Sequence, residues 1–235
     1  MTDLKLGRLA ATRPFGVRNL TAYATTRLPL PPASVGVPNA SYPMDGNDQY
    51  GDCTIAGVAH LLAAWNAEVD ESDPVPNQTE VVNQYFTLTG GPDTGLNEHN
   101  VLETWRTAGL WGNKIDAYVP VDPKDLTELH QAVAFYGGVY LGVAVPQSAQ
   151  QQFQAGKPWT VVPGSPVLGG HCIVGLGYSP HGLLCATWGG VAEVTYPWLT
   201  AYLEEAWAVI PQQFVEAERG PRLDLSALRS DLGQI

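Results

Sequence analysis

Two stretches of the chain decide its expected fold: residues 47–57, which read NDQYGDCTIAG, and residues 169–178, which read GGHCIVGLGY. In the first, a polar, turn-forming approach leads into an apolar run with helical spacing, so Cys53 is predicted to lie at a helix N-terminus. In the second, two glycines precede His171, which opens a run of small and apolar residues typical of a β-strand. We therefore expect Cys53 and His171 to face each other.

Helical patterns dominate the chain between these two stretches. A helix from Asp52 is predicted to end at residues 70–77, the acidic, proline-bearing stretch DESDPVPN. Further helices, each closed by glycine, are predicted over 79–89, 97–108 and 125–136. Strands are predicted over 114–121 and 139–145.

The second half has a different pattern, with four short β runs separated by turn residues: HCIVGLGY, GLLCATWG, VAEVTY and EAWAVI. Helices followed by strands indicate an α+β protein with segregated layers. The expected architecture is a helical N-terminal half packed on an antiparallel β meander.

Three regions are predicted along the 235 residues. Residues 1–45 are interrupted by prolines and form an extended N-terminal arm. Residues 46–210 form the central domain, and residues 211–235 form a polar tail in which LDLSALRSDL has the pattern of one amphipathic helix. An arm of this kind is suited to contacting a neighbouring copy or a larger assembly.

The net charge of −11, from 12 basic and 23 acidic residues, disfavours nucleic acid and anionic membrane surfaces as partners. No apolar run is long enough to cross a bilayer, and the N-terminus lacks the apolar centre of a secretory signal. We expect a protein of the cytoplasm, or of a virion if it is phage-encoded.

The three cysteines, Cys53, Cys172 and Cys185, are an odd number without a CxxC motif, so no disulfide framework or zinc knuckle is indicated. No two histidines stand at metal-ligand spacing with a carboxylate, and neither a metal nor a cofactor is expected. His60 lies two helical turns after Cys53, too far along the helix to activate it. It is interpreted as a packing or surface residue, and His99, His130 and His181 as surface residues.

Cys53 and His171 carry the predicted chemistry. A thiol is nucleophilic as the thiolate, and the dipole and free N–H groups of a helix N-terminus lower its pKa. Neutral histidine is the usual general base for a thiol. The alternatives are an inert buried cysteine and a hydrogen-bonded structural histidine, both common in protein cores.

NDQYGDCTIAG resembles the oxyanion-loop, cysteine and helix element of papain-like cysteine peptidases, and GGHCIVGLGY resembles their glycine, histidine and strand element. TWGG followed by YLEEAWAVI is similar to their Asn-Ser-Trp-Gly strand and closing strand. The Asp-Cys pair also resembles the leader peptidase domains of bacteriocin exporters, and the whole chain resembles a group of bacterial and phage-borne proteins with GDCT and GGH elements.

The resemblance implies roles for further residues. Asn47 stands where the family has an oxyanion-stabilising amide, and Gln49 is the fallback donor. Alignment on Trp188 puts Ala186 in place of the asparagine that orients the histidine, so the orienting residue is either the adjacent Thr187, if the register slips, or missing. Trp188 would shield the histidine from water or serve as an ordinary core aromatic; Gln49, Gly170 and Trp188 are predicted to border the substrate.

Two functions follow as expectations. The first is a thiol hydrolase, a cysteine peptidase or amidase that cleaves a peptide or amide bond through Cys53 and His171. The alternative is a non-catalytic papain-like structural or binding module, such as a phage virion or assembly component. Acyl transfer to an amine is a third alternative, because the same acyl-enzyme serves both reactions.

Overall fold

The computed structural model describes residues 4–14, 16–69, 74–216 and 222–234. Its helices are α1 (Cys53–Val69), α2 (Gln78–Thr89), α3 (Glu98–Thr107), α4 (Leu126–Tyr136), α5 (Gln147–Gln154), α6 (Tyr196–Tyr202), α7 (Gln212–Glu216) and α8 (Leu225–Leu232). Its strands are β1 (Ile115–Pro120), β2 (Val139–Pro146), β3 (Val167–Tyr178), β4 (Gly182–Thr187), β5 (Gly190–Thr195) and β6 (Leu203–Pro211).

Helices α2 and α4 are capped at both ends, and glycine follows each of them as predicted. Asn77 forms a capping box at the start of α2, and the Asp125 side chain caps the first turn of α4. Gly90 and Gly137 follow these helices in the left-handed conformation, which glycine adopts without steric cost. Residues 70–73, in the stretch predicted to end the first helix, lie outside the described residues.

The six strands form one antiparallel sheet in the order β1-β6-β2-β3-β4-β5. Strands β3 to β5 form the first three strands of the expected meander, β2 pairs with β3 on the other side, and the α+β class is confirmed. Strand β6 does not continue the meander: it lies between β1 and β2. Helix α6, which begins at Tyr196-Pro197 and was not predicted, separates β5 from β6 in the chain.

Helix α1 packs against the middle of this sheet and is buried on all sides over Cys53–Trp65. The helix lies close to the sheet at Gly57, where an added Cβ would lie 2.8 Å from Tyr140 Cε2 and 3.1 Å from Cys172 Sγ. The hydroxyl of Tyr140, on β2, donates to the carbonyl of Thr54 in the first turn of α1. Strands β2 and β3 therefore determine the position of the N-terminus of α1.

The described part of the arm packs on its own chain. A short 3-10 helix, Leu20–Tyr23, buries both of its terminal side chains. The Tyr23 hydroxyl donates to Asp231 in α8, and α8 in turn buries Leu228 and Leu232. The tail helix is thus present and docked beside the arm.

The structure also bears on the membrane prediction. Within the described ranges, every helix is too short or too polar to cross a bilayer.

Gly57→Ala is expected to destabilise the protein, because the new methyl group meets two buried side chains. The expected loss is about 1–3 kcal/mol, the usual cost of overpacking, even though alanine favours the helix itself. Urea unfolding of the variant measures it. The control is Gly36→Ala, where a Cβ meets no atom within 4 Å; equal stability of both variants would contradict the proposed packing constraint.

Candidate functional site

Cys53 is the first residue of α1 and is almost completely buried. The backbone N–H of Cys172, the residue after His171, donates to its sulfur at 3.4 Å. Burial raises the pKa of the Cys53 thiol to about 12, although the N–H groups of Cys172 and Gly7 act in the opposite direction. The prediction that the helix N-terminus lowers the pKa of Cys53 is therefore wrong, because the effect of desolvation is larger than that of the helix N-terminus.

His171 lies on β3 and is fully buried. Its Nε2 is 2.9 Å from the Oγ1 of Thr187, whereas its Nδ1 has no hydrogen-bond partner among the described residues. Burial is the main cause that lowers the pKa of the imidazole, to about 3, and Arg8 adds to the effect. The ring is therefore neutral, with one nitrogen held and the other free.

The register of β3 and β4 explains why Thr187, not Ala186, reaches this histidine. Ala186 pairs with Val174, so Thr187 stands opposite Ile173. Side chains alternate along a strand, which places Ile173 and His171 on one face and Val174 on the other. Thr187 is consequently a diagonal neighbour of His171, and the contact that the alignment left open is made by its hydroxyl group.

Trp188 covers the imidazole. Its ring stacks on that of His171 with centroids 4.3 Å apart and an interplanar angle of 18°. Trp188 and Gly189 both have positive φ, 39° and 76°, and form the two-residue turn between β4 and β5. The tight turn therefore presents the indole to the histidine, and the indole N–H donates to the carbonyl of Lys5 in the arm.

Asn47 lies in the loop before α1 and is buried. Its side-chain amide donates to Asp52 Oδ1 at 2.9 Å, which leaves one amide N–H for another partner. Burial raises the pKa of Asp52 to about 7. Gln49, the fallback donor, is exposed to solvent.

A small cavity adjoins the thiol. Its lining includes Asn47, Cys53, His60, Thr187 and Trp188, and its volume of about 10 Å³ is enough for roughly one water molecule. The site in this form has no room for a substrate.

Residues 5–9 of the arm cross the site. An added Cβ on Gly7 would lie 1.9 Å from the carbonyl oxygen of Gly51, and one on Gly95 would lie 2.2 Å from that of Gly7. The backbone of Leu96 forms hydrogen bonds with the two residues that flank Arg8. Its carbonyl accepts from the N–H of Leu9, and its N–H donates to the carbonyl of Gly7, each at 3.0 Å. The arm is thus held beside the thiol by close backbone packing and by an isolated parallel bridge between Arg8 and Leu96.

The fold of this chain is shared with solved cysteine proteases. It is similar to xylellain, a cysteine protease from Xylella fastidiosa, with a TM-score of 0.69 at 14% identity over 88% of this chain and 96% of that one. The chain has the papain-like fold. The cysteine protease and lectin-like domains of Cwp84, a surface layer associated protein of Clostridium difficile, are also similar, with a TM-score of 0.56 at 10% identity over 79% of this chain.

The chain spans 54% of that Cwp84 structure. No family model matches the sequence, and no curated protein matches it. The similarities confirm the papain-like resemblance at the level of the fold. The resemblance to the phage-borne group stays a prediction.

Sequence reasoning missed the part that several residues play around this cavity. His60 borders the cavity and is buried, with its Nε2 2.9 Å from the carbonyl of Pro43, so it is a packing residue and not a surface residue, the first of the two interpretations. His99 is buried as well and bonds to Tyr118. Gly7 and Arg8 had no recognisable signal, because their role depends on contacts far away in the chain.

A metal centre has no support in the described parts of the chain. No group of three or more histidine, cysteine or acidic side chains is arranged there to hold an ion.

Thr187→Val is expected to destabilise the protein by about 1–3 kcal/mol, because it leaves the buried Nε2 of His171 without its partner. Valine keeps the shape of threonine, so packing changes little. Urea unfolding measures the loss, and Thr187→Ser, which retains the hydroxyl group, is the control. If serine and valine were equally costly, the hydrogen bond would not be the cause.

Asp45 provides a pH test of the buried loop. Burial raises its pKa to about 7 from 3.8, so the folded state binds more protons than the unfolded chain between these values. The stabilisation from this group is complete below the ordinary pKa and is lost as the pH rises through about 7.

As the pH rises from about 5 to about 8, the free energy of unfolding of Asp45→Asn should therefore increase relative to that of the parent protein, by at most about 1.4 kcal/mol per pH unit. Asparagine also tolerates the positive φ of 54° at this position. Urea unfolding at both pH values measures the change. Asp48→Asn, at an exposed site in the same loop, is the control, and a stability difference independent of pH would refute the burial of an uncharged Asp45.

Proposed function

We propose that this protein is a thiol hydrolase that cleaves a peptide or amide bond, with Cys53 as nucleophile and His171 as base. The observation that carries the proposal is the state of the histidine: Thr187 holds its Nε2, and its Nδ1 remains buried without a partner beside the residue that contacts the Cys53 sulfur. The cysteine protease activity named for xylellain and Cwp84 supports the same reaction class.

In the proposed reaction, the Nδ1 of His171 takes the thiol proton, and the sulfur of Cys53 attacks the carbonyl carbon. The new C–S bond turns the carbonyl oxygen into an oxyanion. The remaining N–H of the Asn47 amide and the backbone N–H of Cys53, one of the unpaired donors at the start of α1, are the proposed oxyanion donors. His171 then protonates the leaving amine as the C–N bond breaks, and water releases the acyl group as a carboxylic acid.

Thr187 takes the place of the family's asparagine in this proposal. A threonine hydroxyl accepts a hydrogen bond from the Nε2–H of the ring and thereby selects the tautomer whose Nδ1 is free to accept a proton. The stacked Trp188 restricts rotation of the ring and excludes water from the contact.

The arm keeps the proposed enzyme in a resting state. Its Gly7 lies beside the thiol; the N–H of Gly7 lowers the pKa of Cys53, but the burial of the closed site outweighs this effect and raises that pKa. Removal of the arm from the cleft would hydrate the site, lower that pKa and admit a substrate.

The same closure is the observation that favours the alternative, a papain-like binding or structural module without turnover. A thiol with a pKa of about 12 beside a cavity of about 10 Å³ is not poised for catalysis. The two functions differ in what happens once the cleft is opened.

Gly7→Ala opens the cleft in the full-length chain without touching Cys53, His171 or Asn47, because no Cβ fits against Gly51. We expect this variant to be alkylated by iodoacetamide at Cys53 at least about tenfold faster than the parent protein. Mass spectrometry locates the label, and Cys172 and Cys185 serve as internal references. Gly36→Ala, in an open part of the same arm, is the control.

The opened variant should also hydrolyse fluorogenic peptide amides, and Cys53→Ala should abolish the activity, whereas Cys185→Ala, at a buried cysteine of β4 away from the cavity, should retain it. Equal labelling of all three cysteines, together with no hydrolysis by the Gly7→Ala variant, would reject the hydrolase in favour of the binding module.

A further inference from the structure

Arg8 of the arm lies in an acidic depression next to the proposed dyad. Its side chain is only 2% exposed, and its Nη1 donates to Glu205 Oε1 at 2.8 Å while its Nη2 pairs with Glu204. The backbone N–H of Arg8 donates to the carbonyl of Gly170, the residue before His171, at 3.1 Å. The backbone of Arg8 is thus bound two residues before Cys172, whose N–H contacts the thiol, and its guanidinium group is buried.

The floor of this depression is made of glycine. Gly142 on β2 stands between its cross-strand partners Glu205 and Cys172, so these three positions form one row on the sheet. A Cβ on Gly142 would lie 2.8 Å from Arg8 Cδ, and one on Gly170 would lie 3.3 Å from Arg8 Nε and Nη2. The absence of side chains at both positions makes the room that the guanidinium occupies.

The walls of the depression hold three carboxyl groups around one guanidinium group. The indole N–H of Trp207 donates to Glu205 Oε2 at 3.1 Å, which leaves the Oε1 of Glu205 directed at the guanidinium. Glu98, the first residue of α3, is fully buried near Arg8, and neither of its oxygens forms a hydrogen bond of standard geometry with a described residue. Burial and the charge of Glu205 raise the pKa of Glu98 well above its usual value.

A site of this composition favours one class of side chain. A planar guanidinium matches paired carboxylates and offers several donors at once, and burial without such donors would leave the carboxylates uncompensated. The arm is bound here by backbone hydrogen bonds to Leu96 and Gly170 and by one side chain in a pocket, which is how extended peptides are recognised at sheet edges.

We propose that this depression, lined by Gly142, Gly170, Glu98, Glu204 and Glu205, is a specificity pocket for an arginine side chain of a peptide laid along the cleft. Arg8 fills it in the resting protein and is displaced when such a peptide binds. The inference deepens the proposed function, on which it rests, by naming the class of peptide.

The first experiment measures binding without turnover, in the full-length Gly7→Ala/Cys53→Ala variant. The probe is an acetylated peptide amide with the sequence of residues 4–10, LKLGRLA, compared with the same peptide carrying citrulline, the uncharged isostere, in place of arginine. Calorimetry is expected to give a Kd at least about tenfold lower for the arginine peptide. Adding Glu205→Gln should remove most of that ratio, whereas Glu193→Gln on the distant strand β5 should preserve it.

The second experiment empties the pocket. Millimolar ethylguanidinium should raise the Tm of the full-length Arg8→Ala variant, or restore its folding if it is unfolded alone, and should leave the parent protein unchanged. Ethylammonium at the same ionic strength is the control, because it has the charge without the planar fork.

Equal affinity for the arginine and citrulline peptides, or equal effects of the two cations, would overturn the inference while leaving the hydrolase proposal intact. Selective arginine binding by a protein that hydrolyses no peptide would support the pocket and reject the hydrolase. The two proposals therefore fail independently.

Discussion

The close packing of α1 on strands β2 and β3 is the constraint on which the rest of the site depends. Because Gly57 carries no side chain, the helix lies directly against Tyr140 and Cys172. This contact places the first turn of α1 beside the middle of β3, so that the sulfur of Cys53 meets the backbone N–H of Cys172. The positions of the loop with Asn47 and of the cavity follow from this one contact.

Burial gives the site both its order and its inertness. The imidazole of His171 is held in place by Thr187 and Trp188. The same low-dielectric surroundings raise the pKa of the thiol and lower that of the histidine, so the uncharged pair is the stable form. Gly7 of the arm also contacts the thiol, and Arg8 of the arm pairs with Glu204 and Glu205. Ordered geometry and suppressed reactivity therefore have a common physical origin.

Much of the fold could be predicted from local patterns. The helix that begins at Cys53, the capped helices after Asn77 and Asp125 and the strands around Val139 and Val174 all carry their own periodicity and caps. The position of β6 could not be predicted in this way, because pairing between β1 and β2 is a contact between residues far apart in the chain. Helices α5 and α6 are short, and the patterns did not reveal them.

The candidate site, like the fold, could be predicted only in part from local sequence patterns. The sequence by itself determined that Cys53 begins a buried helix, that His171 lies on a strand after two glycines and that the fold is papain-like. Only the tertiary structure decided that Thr187 holds His171, since that depends on cross-strand register. It also decided that the thiol is desolvated and that Gly7 and Arg8 lie in the cleft. Register, burial and the docking of an irregular arm depend on long-range packing, and local sequence patterns carry no record of it.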